Sequence, residues 1–250
     1  MIYAIANQKG GVGKTTSAVN LAACLADSGA RVLLVDLDPQ ANASSGLGFR
    51  PPEGVTIADV VLDGVGAEQA IRPTRIPNLD IIPSSPDLSG AAVELPERED
   101  RERILQRALA PISSTYGYVI IDCPPSLDLL AINALTAADR LIIPVQCEYY
   151  ALEGLSRLME TINAVRIHLN PELQLSGLLL TMHDSRTRVS SDVVAEVRRH
   201  FPDAVFANVV PRNVRLTEAP SYGEPVTRYD PYCAGAQAYV AVAKEVAARG

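Results

Sequence analysis

Residues 9–16 read KGGVGKTT and stand two residues behind the apolar run IYAIA at 2–6. After them Ala18, Leu21, Ala22 and Leu25 recur at helical spacing, and Gly29 is a suitable stop. An apolar run, a glycine-rich turn and an amphipathic stretch spell a buried strand, a tight loop and a helix. The general phosphate-loop pattern, G-x-x-x-x-G-K-[ST], would need a glycine where Gln8 stands, so the strict form fails by one residue. The chemistry survives that change. Gly10, Gly11 and Gly13, with Val12 between them, let backbone N–H groups converge on phosphate oxygens at the positive end of the helix. Lys14 is placed to neutralise β- and γ-phosphates, the Thr15 hydroxyl to hold Mg²⁺, and Thr16 to bond an α-phosphate. Lys9 is a second lysine, ahead of the glycines, for which a phosphate cradle alone has no use.

Outward from this loop, short β-branched runs alternate with helical patterns. Strands are expected at 2–6, 31–36, 79–84, 118–122, 140–145, 175–181 and 205–210. They are continuous apolar runs rather than alternating ones, as in strands buried on both faces of a parallel sheet. Leu155, Leu158, Met159, Ile162 and Val165 mark a further helix, and 190–200 and 233–248 look helical too. The stretches 47–54 and 84–100 are polar or proline-containing and read as surface loops. Neither a repeat nor a linker breaks the chain. The expected fold is a single α/β domain over 1–250, a mostly parallel sheet flanked by helices on both faces. Two apolar runs in it end in acids. RVLLVD leads into DLDPQAN, with Asp36 and Asp38, and YVIID ends in Asp122; open α/β sheets place ligands at such strand ends.

Composition sets limits on function. Among 250 residues 48% are hydrophobic and the net charge is −7, which argues against an overall basic coat but not against a local basic face. No apolar run is long enough to span a bilayer, and the first residues lack the layout of a signal peptide. A soluble cytoplasmic protein is expected. Cys24, Cys123, Cys147 and Cys233 are scattered and form no CxxC pair, so metal-ligand spacing is absent and a reducing compartment suits them.

KGGVGKTT, DLDPQAN, IIDCPPS, QCEYYALEGL and PRNVRLTEAPSYG, in this order, resemble the ParA/Soj partition ATPases, P-loop NTPases of the deviant Walker-A class. The resemblance runs from Ile2 to nearly Gly250. It implies ATP and Mg²⁺ as cofactors, slow hydrolysis, and a homodimer formed when ATP is bound. Lys9 matches the class's signature lysine, which reaches across to the partner's nucleotide. Carried over in the same way, Lys14 is the phosphate lysine and Thr15 the magnesium ligand. Asp38 matches the switch carboxylate that positions or activates water and is placed with Thr15 at the magnesium site, Asp122 matches the second magnesium-site acid, and Asp36 a supporting group. Pro211, Arg212 and Asn213 match the segment framing the adenine base. Arg186 and Arg215 match arginines assigned to non-specific DNA contact, with Arg188, Arg198, Arg199 and Arg212 as companions, although Asp184, Asp192 and Glu196 dilute the region. A ParB-type protein is the implied partner, no membrane is involved, and the implied place is the nucleoid.

Three other readings stand beside this one. A MinD-like membrane-cycling ATPase would need a terminal amphipathic helix with basic groups, whereas AQAYVAVAKEVAARG reads as a packing helix. An electron-transfer relative of the nitrogenase iron protein would use cluster cysteines, but Cys123 directly follows Asp122, where those proteins do not place them. A nucleotide-dependent adaptor that hydrolyses little would keep Asp38 as well.

Overall fold

The computed structural model describes residues 1–49, 54–148 and 151–249, with only the backbone described for 151–153. Residues 50–53 of the expected 47–54 loop, and Tyr149 and Tyr150 of the QCEYYALEGL motif, lie outside the described residues. Seven strands form one sheet: β1 (Ile2–Ile5), β2 (Val32–Asp36), β3 (Arg72–Pro73), β4 (Leu79–Ile82), β5 (Tyr118–Asp122), β6 (Arg140–Gln146) and β7 (Gln174–Thr181). Their order is β3-β4-β2-β5-β1-β6-β7, parallel throughout except for the short antiparallel β3.

Side chains of successive strand residues alternate between two cores, which explains the unbroken apolar runs. Leu33, Val35, Val119, Ile121, Leu141 and Ile143 enter one core, with Leu88, Leu105, Leu130 and Leu158 from covering segments. Val32, Leu34, Ile120 and Ile142 enter the other, beneath the helices Lys14–Asp27 and Ala234–Arg249. The last helix is a packing helix, as its alanine- and valine-rich sequence predicts: Ala236, Tyr239, Val242 and Val246 are buried. The helix Ala151–His168 matches the expected periodicity, and Arg188–His200 brackets the 190–200 stretch. No helix among the described residues is long and apolar enough to cross a membrane.

Two expectations are corrected. The run 205–210 is not a strand. It touches β7 at one isolated bridge, Leu178 with Val205, and a second, His183 with Pro211, lies just past the ends of both. Phe206 N–H donates to Leu178 O at 3.0 Å and Val210 N–H to Leu180 O at 2.8 Å. Between these bonds the Ala207 and Asn208 N–H groups turn away to the Glu245 carboxylate, at 2.7 and 2.9 Å, so no ladder forms. The 84–100 stretch is not a plain surface loop. Short helical turns at Pro86–Gly90, Ala91–Glu94 and Leu95–Glu97 bury Leu88, Ala91 and Leu95. Pro86 and Pro96 read as breakers, yet each sits in a first turn, where its missing N–H costs nothing. The two-residue edge strand β3 was not foreseen; Pro73 is tolerated there because an edge position need not donate.

β1, β5 and β2 lie side by side, so their carboxyl ends open on one crevice. That crevice lies where strand order reverses about β1, the position at which open α/β sheets hold ligands.

Candidate nucleotide-binding site

The loop after β1 is anchored before it turns. Asn7 donates through Nδ2 to Pro144 O at 2.7 Å and accepts from Lys9 N–H at 3.0 Å. Gly11 and Gly13 have φ of +74° and +89°, the left-handed region that strains any L side chain. Gly13 caps the helix Lys14–Asp27 without a side-chain hydrogen bond, so the first N–H groups stay open to an anion. Val12 is buried, and its carbonyl accepts the Thr181 hydroxyl at 2.8 Å, which ties the loop to the end of β7. Lys14 is only 6% exposed and folds back so that Nζ donates to Lys9 O at 3.1 Å. Burial pulls its pKa down, while Asp122, Cys123 and Asp38 push the other way.

Three acids face this loop from neighbouring strand ends. Asp36 and Asp122 are register partners at the tips of β2 and β5, both fully buried. Asp36 accepts from Ser44 N–H at 2.8 Å, Ser44 Oγ at 2.7 Å and Asp38 N–H at 3.3 Å. It therefore holds the 38–44 segment in place, and burial pushes its pKa up to about 6. Neither oxygen of Asp122 has a hydrogen-bond partner of normal geometry. Burial, and then the Asp36 charge, raise its pKa well above the usual range, against the pull of the Thr15 side chain and Lys14. An unpartnered buried carboxylate beside a threonine hydroxyl is a donor set suited to a hard cation that takes oxygen ligands. Asp38 is also buried, with one oxygen accepting Gln40 N–H at 2.9 Å.

A cleft of about 490 Å³ opens beside the loop. Gly13, Thr15 and Thr16 line one wall, and Pro211, Arg212 and Asn213 line the other. Backbone pairing to the loop after β7 holds the second wall, with Arg212 N–H donating to His183 O at 2.9 Å. Sequence reading did not find Asn42, Ser45, Met182 and Tyr239, which also line the cleft. Met182 carried one detectable consequence only in three dimensions, a φ of +53° that a methionine rarely adopts. Tyr239 reaches the site from the last helix, its hydroxyl 3.0 Å from Ser17 Oγ.

A family model described as an AAA domain matches residues 1–175. Over 250 residues, all of this chain and 99% of the relative, the sequence is 54% identical to sporulation initiation inhibitor protein Soj of Bacillus subtilis (strain 168). The chain belongs to the ParA/Soj family of partition ATPases. Chromosome partitioning protein ParA of Myxococcus xanthus (strain DK1622) is 51% identical, over 99% of this chain and 88% of that protein. A crystal structure of cobyrinic acid a,c-diamide synthase from Mycobacterium smegmatis, with bound ATP analog and magnesium, superposes with a TM-score of 0.85. It is 39% identical, over 97% of this chain and 92% of that one.

The remaining groups singled out in this ParA/Soj-family sequence lie around the cleft. Lys9 points its ammonium at Glu148, Nζ to Oε2 at 3.5 Å, rather than into its own cradle. Glu148 also accepts Gln146 Nε2 at 2.6 Å and lies 3.9 Å from an Arg212 nitrogen. Arg186 follows β7, and Arg215 sits on the short helix Val214–Glu218 just past Asn213. Both are exposed.

The buried acids make a prediction about the ligand-free ParA/Soj-type fold. Asp36 has a folded pKa above its ordinary 3.8, at about 6, and Asp122 is raised as well. The native chain thus holds protons that the unfolded chain has released. The stability these groups contribute is present near their ordinary pKa and is lost as pH rises through the folded values. Asp122→Asn removes one of the two charges and is expected to raise Tm at pH 8 by about 2–6 °C, with a smaller gain at pH 5.5. Calorimetric scans at the two pH values check this; an equal or lower Tm at pH 8 contradicts it.

Proposed function

We propose that this chain is an ATP- and Mg²⁺-dependent partition ATPase that dimerises on ATP and binds DNA without sequence preference. A ParB-type partner stimulates its hydrolysis and release. The carrying observation is the partnerless, buried Asp122 beside Thr15, which lines a cleft whose far wall is Pro211 to Asn213. The Mycobacterium smegmatis structure, with an ATP analog and magnesium on the same fold, supports the same occupancy.

In this reading the Gly10–Thr16 segment cradles the phosphates, Lys14 neutralises them, and Thr15 and Asp122 hold magnesium, Asp122 through water. Magnesium, when bound, offsets phosphate charge. Asp38 orients a water in line with the γ-phosphorus and takes its proton as the bond to ADP breaks. Lys9 acts on the other copy's nucleotide. A cation supplied in trans stabilises the charge that moves in phosphoryl transfer and makes the dimer depend on ATP. Its pairing with Glu148, outside the cradle, fits that division of labour. Pro211, Arg212 and Asn213 frame the base. The DNA-bound dimer would be nucleoid-associated in the cytoplasm.

The test is DNA affinity across a salt titration with ATP and with ADP. ATP alone should support binding, and log K should fall steeply and linearly with log salt, as phosphate neutralisation requires. Sequence-specific or nucleotide-independent binding would contradict the reading. Arg186→Glu combined with Arg215→Glu is expected to weaken DNA binding by at least about tenfold while leaving ATP-dependent dimers intact by light scattering. Unchanged affinity in that variant would place the DNA face elsewhere.

A further inference from the structure

Both arginines matched to DNA contact are closed on carboxylates of their own chain. Arg186 makes a two-pronged pair with Asp184, Nε to Oδ1 at 2.9 Å and Nη2 to Oδ2 at 2.8 Å. Asp184 Oδ1 also accepts the Arg186 backbone N–H at 3.1 Å, so the turn itself presents the carboxylate to the fork. Arg215 is held from two sides, by Glu218 Oε2 at 2.7 Å from Nη1 and by Asp230 Oδ2 at 3.3 Å from Nε. A DNA phosphate engages guanidinium through the same planar fork of N–H donors. Arginine keeps its charge at any working pH, so what is contested is the fork and the local field.

The closed pairs do not line the cleft themselves, but each lies close in sequence to a residue of its wall. Met182, which lines the cleft in its left-handed conformation, lies two residues before Asp184. Asn213, from the opposite wall, accepts the Arg215 backbone N–H at 2.8 Å.

We propose that Asp184, Glu218 and Asp230 set the chain's affinity for DNA, by occupying the forks of Arg186 and Arg215 that a phosphate must take. The inference rests on the DNA-binding reading above. Ion pairs this exposed are weak in water, so a polyanion can displace them, and the displacement appears as lost DNA affinity rather than as a block.

Asp184→Asn and Glu218→Gln remove the charge while keeping an oxygen for the bonds from Arg186 N–H and Tyr229 OH. With ATP at fixed salt, the double variant is expected to bind duplex DNA about tenfold more tightly than the parent. Glu172→Gln is the control for net charge. It is an exposed carboxylate just before β7, at the far end of the strand from Asp184, and should change affinity less than about twofold. A double variant no tighter than this control overturns the proposal. In an Arg186→Gln background the gain from Asp184→Asn should vanish, since the two residues act on one another. A gain that persists there also overturns it. A parent chain with no ATP-dependent DNA binding would sink the partition reading at its DNA step, a result distinct from failure of the masking proposal. ATP turnover measured without DNA should be unchanged in the Asp184→Asn, Glu218→Gln double variant and in Glu172→Gln, which shows that the fold is kept.

Discussion

Lys14→Ala is expected to lose ATP affinity by about two to three orders of magnitude. Lys14 is almost wholly buried and already folded over the loop, with Nζ on the Lys9 carbonyl. Its charge therefore meets phosphate with little side-chain entropy left to lose and with few waters to screen it. Truncating one partner of such a buried, hydrogen-bonded charge pair costs about 2–5 kcal/mol, and about 1.4 kcal/mol is a factor of ten. The loss has a second source. Asp122, Cys123 and Asp38 favour the charged form of Lys14, and without it the two carboxylates face an incoming triphosphate with no cation between. Titration calorimetry with ATP and Mg²⁺ reads the effect directly. A variant that binds within about tenfold of the parent contradicts the role given to Lys14.

Asp38→Ala should separate binding from hydrolysis. Asp38 is buried near the phosphate loop, and Gln40 N–H occupies only one of its oxygens. A group that positions water and takes its proton contributes about 10²–10⁴ in rate, so turnover should fall by that factor with nucleotide affinity nearly kept. Its ATP dimer should outlive the parent's, since the step that dismantles it is removed. The lost bond to Gln40 costs about 1 kcal/mol of local stability, too little to unfold the chain. Phosphate release and light scattering, followed together, give the answer. Hydrolysis at the parent's rate would remove Asp38 from the mechanism, and loss of ATP binding would make it a structural group.

Much of this architecture is legible in the amino-acid order because it is local or periodic. The strand–loop–helix of residues 2–27 follows from apolar spacing and from glycines where φ must be positive. Asp36 and Asp122 announce strand tips, and the register of β2 on β5 sets them side by side. What stayed hidden depends on neighbours far along the chain. The run 205–210 has strand composition, but Glu245, on the last helix, takes the N–H groups a ladder would need. Tyr239 looks like a packing residue, as it is, and only the fold brings its hydroxyl to Ser17. Asp184 reads in sequence, with Asp192 and Glu196, as dilution of a basic region. In space it is the direct partner of Arg186, and Glu218 and Asp230, which that reading did not name, hold Arg215, a relation no charge count contains.

The run that fails to become a strand also decides how the sheet ends. Along β7 the open backbone groups of Leu178 and Leu180 are taken by Ala204, Phe206 and Val210, and the crossing segment spends its own spare donors on Glu245. At the opposite margin β3 is two residues long and carries Pro73. Among the described residues neither border offers a row of free amides to another chain, which disfavours cross-chain strand addition at either edge. In the ATP-dependent dimer proposed above, two copies would therefore meet through side chains and bound ligand. Such a contact can be made and dissolved once per nucleotide cycle, where an interchain β-ladder would be slow to come apart.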